Sequence, residues 1–178
     1  MSCEGITLRC RNEKSRPGPH NIFMRYLFLD IDGVLNHDAW YTKLRNMPAG
    51  QRPVFPVCCF DPLCVGRVND ILDLTGARLV LSSSWRTDKL LVNTFRNIGL
   101  PKDYDCIPFL APDIYVRGDE IEKYLDEKGY DPDTDNYCII DDCDEFLPDQ
   151  EEHVALTDPK TGLTPAVMRK AVEILMKN

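Results

Sequence analysis

The short apolar run Tyr26-Leu27-Phe28-Leu29 stops abruptly at Asp30. A continuous run of this length predicts a strand buried on both faces of a parallel sheet, handing the chain to an acidic loop. The pattern returns from Ala77 to Ser82, ahead of the polar turn Ser83-Ser84-Trp85-Arg86, and again in Tyr137-Cys138-Ile139-Ile140, which runs into Asp141-Asp142. Shorter runs predict strands at Ile107 to Leu110 and at Val154-Ala155-Leu156.

Between these strands the spacing changes to that of helices. Asp61-Pro62 supplies an N-cap and a first-turn proline, Val68, Ile71 and Leu72 form a buried stripe, and Gly76 ends the element. Thr87 is placed to cap a helix carrying Leu90, Leu91, Val92 and Phe95. A further helix near Asp119–Lys128 buries Ile121, Tyr124 and Leu125, and Thr164-Pro165 opens a last one with Met168, Ala171, Val172 and Leu175 on one face. Residues 36–60 show little periodicity and hold Pro48, Gly50, Pro53 and Pro56, which predicts an irregular excursion. Alternation of strands and helices predicts an α/β fold: a three-layer, Rossmann-like parallel sheet with helices on both faces.

At 178 residues the chain suits one domain. Residues 1–23 are polar and lack periodicity, so they read as a flexible tail ahead of a domain over 24–178, and Met24 stands where an alternative start would fall. The formal charge is −8; the tail, with Arg9, Arg11, Lys14 and Arg16 against Glu4 and Glu13, carries +2, leaving −10 on the rest. So acidic a body argues against extensive duplex binding. Residues 39–60 depart from it, with Lys43, Arg45 and Arg52, no acid, and Trp40, Tyr41, Phe55 and Phe60 between them. Such a segment either covers a site and stacks on a nucleotide or packs down as an ordinary surface loop. No long apolar run predicts a membrane span. The eight cysteines form no C-x-x-C pair, which makes structural zinc a poor fit and reduced thiols in a cytoplasmic protein the expectation.

Two apolar strands end in paired acids, Asp30-Ile31-Asp32-Gly33 and Asp141-Asp142, and open parallel sheets bind ligands at the carboxyl ends of their strands. Four converging carboxylates need compensation, and a hard divalent cation with oxygen ligands, Mg²⁺, both neutralises them and grips phosphate.

The run Asp30-Ile31-Asp32-Gly33-Val34-Leu35 resembles the first motif of the haloacid dehalogenase superfamily. Ser82 after Leu79-Val80-Leu81 is similar to its second motif, Arg117 before Gly118-Asp119-Glu120 to its third, and Ile139-Ile140-Asp141-Asp142 to its fourth, in the family's order. Phe60-Asp61-Pro62, the stretch Leu79 to Arg86, Thr157-Asp158 and Gly162-Leu163-Thr164 resemble one branch, the domain found in Swiss Army Knife RNA repair proteins, over roughly residues 24–177. With only a short insertion after the first motif, no large cap domain is expected.

The resemblance implies a Mg²⁺-dependent phosphatase acting on a phosphate monoester: a phosphorylated small molecule or the end of a nucleic acid. Asp30 would be the nucleophile and Asp32 the acid and base. Ser82 would bond a phosphoryl oxygen, with Ser83 the competing hydroxyl. Arg117, with Lys123 as competitor, would offset charge, and Asp30, Asp32, Asp141 and Asp142 would hold the metal. Asp32 favours phosphate esters over carbon–halogen bonds, because halide leaves without a proton. Arg86 stands either as a substrate contact or as the partner of a neighbouring carboxylate beside a packed Trp85. The rival reading is a non-catalytic module that senses metal or phosphate within a repair or signalling assembly.

Overall fold

The computed structural model describes residues 23–87, 94–95, 97–110 and 116–177. Five strands, β1 (Arg25–Leu29), β2 (Arg78–Leu81), β3 (Asp105–Cys106), β4 (Asn136–Asp141) and β5 (Val154–Leu156), form one parallel sheet in the order β3-β2-β1-β4-β5. β1 is central, with β2 and β3 to one side and β4 and β5 to the other. The order reverses between β1 and β4, and at such a switch point the loops diverge and leave a crevice.

Alternation along the strands divides the core. Leu27, Leu29, Leu79, Leu81, Cys138 and Ile140 face the helices α2 (Pro62–Thr75) and α4 (Pro165–Leu175). Tyr26, Phe28, Val80 and Ile139 face α3 (Arg117–Lys128), which buries Ile121, Tyr124 and Leu125 against them. The result is the three-layer α/β sandwich that the pattern predicts. Helix α2 starts on Asp61, whose carboxylate accepts from the Leu63 amide, and ends on Gly76 in the left-handed region. Helix α4 starts on Thr164, whose side chain accepts from the Val167 amide.

Two expectations need adjustment. The third strand occupies 105–106 rather than 107–110: the Ile107 amide still reaches the Leu81 carbonyl at 3.1 Å, but Pro108 has no N–H to extend the ladder. The segment after the first strand is not irregular throughout. It contains α1 (Asp38–Asn46), capped by His37, whose ring accepts from the Trp40 amide and lies 3.0 Å from Asp61. The Trp40 amide is only a donor, so the Nδ1 it meets is the accepting nitrogen and Nε2 carries the proton that Asp61 receives. The N-caps of α1 and α2 are thereby tied together, and an indole bond from Trp40 Nε1 to the Cys58 carbonyl at 2.9 Å closes the segment. The helix predicted after Thr87 lies mostly outside the described residues, as does the tail predicted over 1–23 apart from Phe23. Among the described residues the six cysteines are free thiols, and no helix is long and apolar enough to cross a membrane.

Candidate active site

The register of the sheet builds the site. Leu29 pairs with Ile140 on one side and Leu81 on the other, so the next residues, Asp30, Asp141 and Ser82, emerge side by side at the switch point. Backbone bonds from Asp30 to Ile140 and from Ser82 to Leu29, both 2.9 Å, hold this alignment past the strand ends. Asp30 and Asp141 are buried, whereas Asp32 is exposed at the rim.

Gly33, with φ of +66°, turns the loop that follows Asp30, and a Cβ there would run into the Asp142 carboxylate. The missing side chain is what lets Asp142 lie over the loop that carries Asp30. From below, Thr157 Oγ1 donates to the Gly33 carbonyl at 3.0 Å, and the Leu163 amide bonds the Val34 carbonyl at 3.0 Å. The stretch after β5 therefore braces the loop.

Arg117, the first residue of α3, supplies the cation. Its Nη1 lies 3.0 Å from Asp30 Oδ1 and 3.3 Å from Asp141 Oδ2, and it also donates to the Ser82 carbonyl. Lys123, its competitor from the sequence, is exposed farther along the helix. One guanidinium does not balance these carboxylates. Burial raises the Asp30 pKa against the opposing pull of Arg117, and burial together with Asp30 pushes Asp141 up to about 7.

The serines divide differently from the expectation. Ser82 Oγ is buried with no hydrogen-bond partner among the described residues, and its carbonyl is the atom facing Arg117. Ser83 is the serine that acts on Asp30, lowering the pKa of that carboxyl, while its Oγ accepts from the Trp85 amide at 3.4 Å. The chain bends at Ser83 into the helical turn Ser84–Thr87, and this bend re-aims the side chain in a way strand periodicity does not convey.

Arg86 is engaged within the protein. Its guanidinium is buried, meets both Glu120 oxygens at 2.9 and 2.8 Å, and donates to the Ser83 carbonyl at 2.8 Å. It anchors the serine loop to α3, which is the second of the two readings its position allowed. Two residues without a motif also enter the site. Asn36 donates to Asp32 Oδ1 at 2.8 Å and accepts from the Gly33 amide at 3.1 Å. Trp85 Nε1 donates to Asp32 Oδ2 at 2.8 Å. An asparagine six positions after Asp30 carries no signal of its own, because only the fold of the loop brings it back.

Two clusters place possible metal-binding atoms close together among the described residues. Asp141, Asp142 and Cys143 form one, at the switch point. His37, Asp61 and Cys64 form the other, but there both imidazole nitrogens are already engaged and burial pushes the Cys64 thiol up to about 11, so it is a packed cap. Helix α1 and the segment after it border a cavity of about 360 Å³ lined by Asp38, Tyr41, Leu44, Arg45, Arg52, Pro53 and Cys58, with none of the four site acids in its lining. Burial raises the Tyr41 pKa, and the Asn36 side chain opposes that rise. Of the four aromatics in this basic segment, Trp40 and Phe60 are buried, while Tyr41 and Phe55 are exposed.

A parallel α/β sandwich with carboxylates from two neighbouring strands, a serine loop and a guanidinium meeting at its switch point has the architecture of haloacid dehalogenase-like proteins. Residues 26–168 match the family model described as the HAD domain in Swiss Army Knife RNA repair proteins, and the chain belongs to that family. Phosphohydrolase-type chemistry goes with it. No curated protein and no solved structure matches the chain.

Proposed function

We propose that the protein is a Mg²⁺-dependent phosphohydrolase that cleaves phosphate monoesters, including the terminal phosphate of a nucleic acid, through a phosphorylated Asp30. The observation that carries this reading is the position of Asp30: a buried carboxylate beside Asp141, touched by Arg117, its pKa lowered by the neighbouring Ser83, with a second, exposed carboxylate two residues on.

In the first displacement an Asp30 oxygen attacks phosphorus. The bond from phosphorus to the ester oxygen breaks, and that oxygen takes the proton of the Asp32 carboxyl. In the second, water attacks phosphorus and gives a proton back to Asp32. The acyl phosphate bond breaks, releasing orthophosphate and restoring Asp30. Arg117 offsets charge that accumulates near Asp30, and Ser83 donates to a phosphoryl oxygen. Asp30, Asp141, Asp142 and the Asp32 carbonyl would hold the cation, which suits their hard oxygen donors and their surplus negative charge and, when bound, neutralises charge on the phosphoryl group.

The measurement is phosphate release from an aryl phosphate with and without Mg²⁺. Turnover that needs the metal and disappears in Asp30→Asn is the expected result. A purified protein that releases nothing with any divalent ion would leave the non-catalytic, metal- or phosphate-sensing reading in its place.

The cavity beside Tyr41 supports the nucleic-acid part of the proposal. Arg45 and Arg52 bring positive charge to the lining of this cavity in an acidic protein, and about 360 Å³ offers room for a nucleoside. Replacing Arg45 and Arg52 together by Ala should raise KM for a phosphorylated oligonucleotide by about ten-fold, with the wild-type advantage shrinking as salt rises. Equal KM in variant and parent would remove the nucleic-acid end as substrate.

A further inference from the structure

We propose that Trp85 is a positioning residue for Asp32, its indole N–H fixing the exposed carboxylate in the pose from which the leaving oxygen is protonated. The inference rests on the phosphohydrolase reading above and adds to it a residue with no assigned role. Asp32 sits at the open rim of the site, where a carboxylate would ordinarily turn freely in water. Here each oxygen has its own donor: Asn36 Nδ2 holds Oδ1 at 2.8 Å and Trp85 Nε1 holds Oδ2 at 2.8 Å. Asn36 is itself buried and bonded to the Gly33 amide, so one side of the clamp belongs to the nucleophile loop. The other side comes from the turn after β2, more than fifty residues away, and its placement needs explaining.

Three contacts set that placement. The indole packs edge-on against the buried Phe60, with ring centres 5.6 Å apart and planes at 70°. The Trp85 amide donates to Ser83 Oγ at 3.4 Å, which ties the backbone under the indole to the serine loop. Arg86, the next residue, is locked to Glu120 and to the Ser83 carbonyl. An indole N–H is only a donor, and at a solvent edge water would satisfy it at no structural cost. Its bond to Asp32 therefore acts on the carboxylate rather than on the tryptophan. A proton donor works only when its oxygen lies within reach of the atom it serves, and two fixed donors are the means of holding an exposed acid there.

The role predicts a dependence on the leaving group. Esters of acidic phenols depart with little help from a proton, whereas alkoxides need it. Trp85→Phe keeps an aromatic ring for Phe60 and removes the N–H. Site-specific 3-benzothienylalanine, in which sulfur replaces that N–H in a ring of the same size, covers the case in which the phenylalanine variant folds poorly. The experiment measures kcat/KM, which reports steps through loss of the leaving group, across monoesters from nitrophenyl to alkyl phosphates with Mg²⁺ present. The expected result is a loss about ten-fold or more greater for alkyl than for nitrophenyl esters, and so a steeper dependence on leaving-group pKa than in the parent. A loss of equal size across the series, or no loss, overturns the positioning role while the parent's turnover keeps the phosphohydrolase reading. A parent inactive on every ester overturns both.

Discussion

Gly33 is a residue at which sequence and site meet most directly. Its amide bonds Asn36, its carbonyl accepts from Thr157, and the space over its α-carbon belongs to Asp142. Gly33→Ala adds a methyl where that carboxylate lies and places alanine in the left-handed region, at a cost of about 1–2 kcal/mol from the backbone alone. The expected outcome is a folded, less stable protein whose turnover falls by about a hundred-fold, since small displacements at a reacting centre are costly. Parental kinetics in this variant would show that Asp142 does not need its present place. The Asp-Ile-Asp-Gly run is legible as a motif from the sequence. The use Asp142 makes of the glycine is not, because it joins positions more than a hundred residues apart. Ser82 and Ser83 show the same limit: periodicity brings both to the end of a strand, and only the bend after it decides which hydroxyl faces Asp30.

At the level of elements, α3 contributes twice. Its first residue, Arg117, lies between the acids, and one turn later Glu120 receives Arg86 in a dry ion pair, with the Leu110 amide also on Glu120 at 3.2 Å. Arg86→Met strands a buried carboxylate, and breaking such a pair costs about 3–5 kcal/mol. The double variant Arg86→Met with Glu120→Leu should recover most of the stability yet keep reduced turnover, because the serine loop has lost its tie to the helix. Thermal unfolding and kinetics on the two variants separate these effects, and full activity in the double variant would refute the anchoring role. Helices α2, α3 and α4 follow from apolar spacing, and α2 and α4 also from their caps. Helix α1 escapes that reading, since its cap is a histidine held by the cap of another helix and its one buried residue, Trp40, makes no periodic stripe.

For the molecule as a whole, the acids at the switch point couple stability to pH and metal. Asp30 and Asp141 have folded pKa values above their unfolded ones, the latter at about 7, chiefly through burial. Such groups favour the fold while protonated, and their contribution is lost as pH rises from the ordinary carboxylate range through 7. The metal-free protein should therefore lose stability between pH 5 and pH 8, by on the order of a few kcal/mol. Mg²⁺ should raise Tm more at pH 8 than at pH 5, and Asp141→Asn should flatten the metal-free slope. Equal Mg²⁺ effects at the two pH values in calorimetry would contradict this coupling. That the acids converge is legible from the sequence, because two apolar strands end in them. That Asp32 is held by an asparagine and an indole is not, since neither donor lies on a strand and nothing in the sequence aims either one at Asp32.

The brace under the nucleophile loop has a consequence for the protein's synthesis. Thr157 and Leu163 support Gly33 and Val34 from the far end of the chain. A nascent polypeptide displaying all four acids but lacking those supports would hold an unset loop. Reactivity should therefore switch on late during translation, after residue 164 has cleared the ribosome tunnel, and not gradually as each motif emerges.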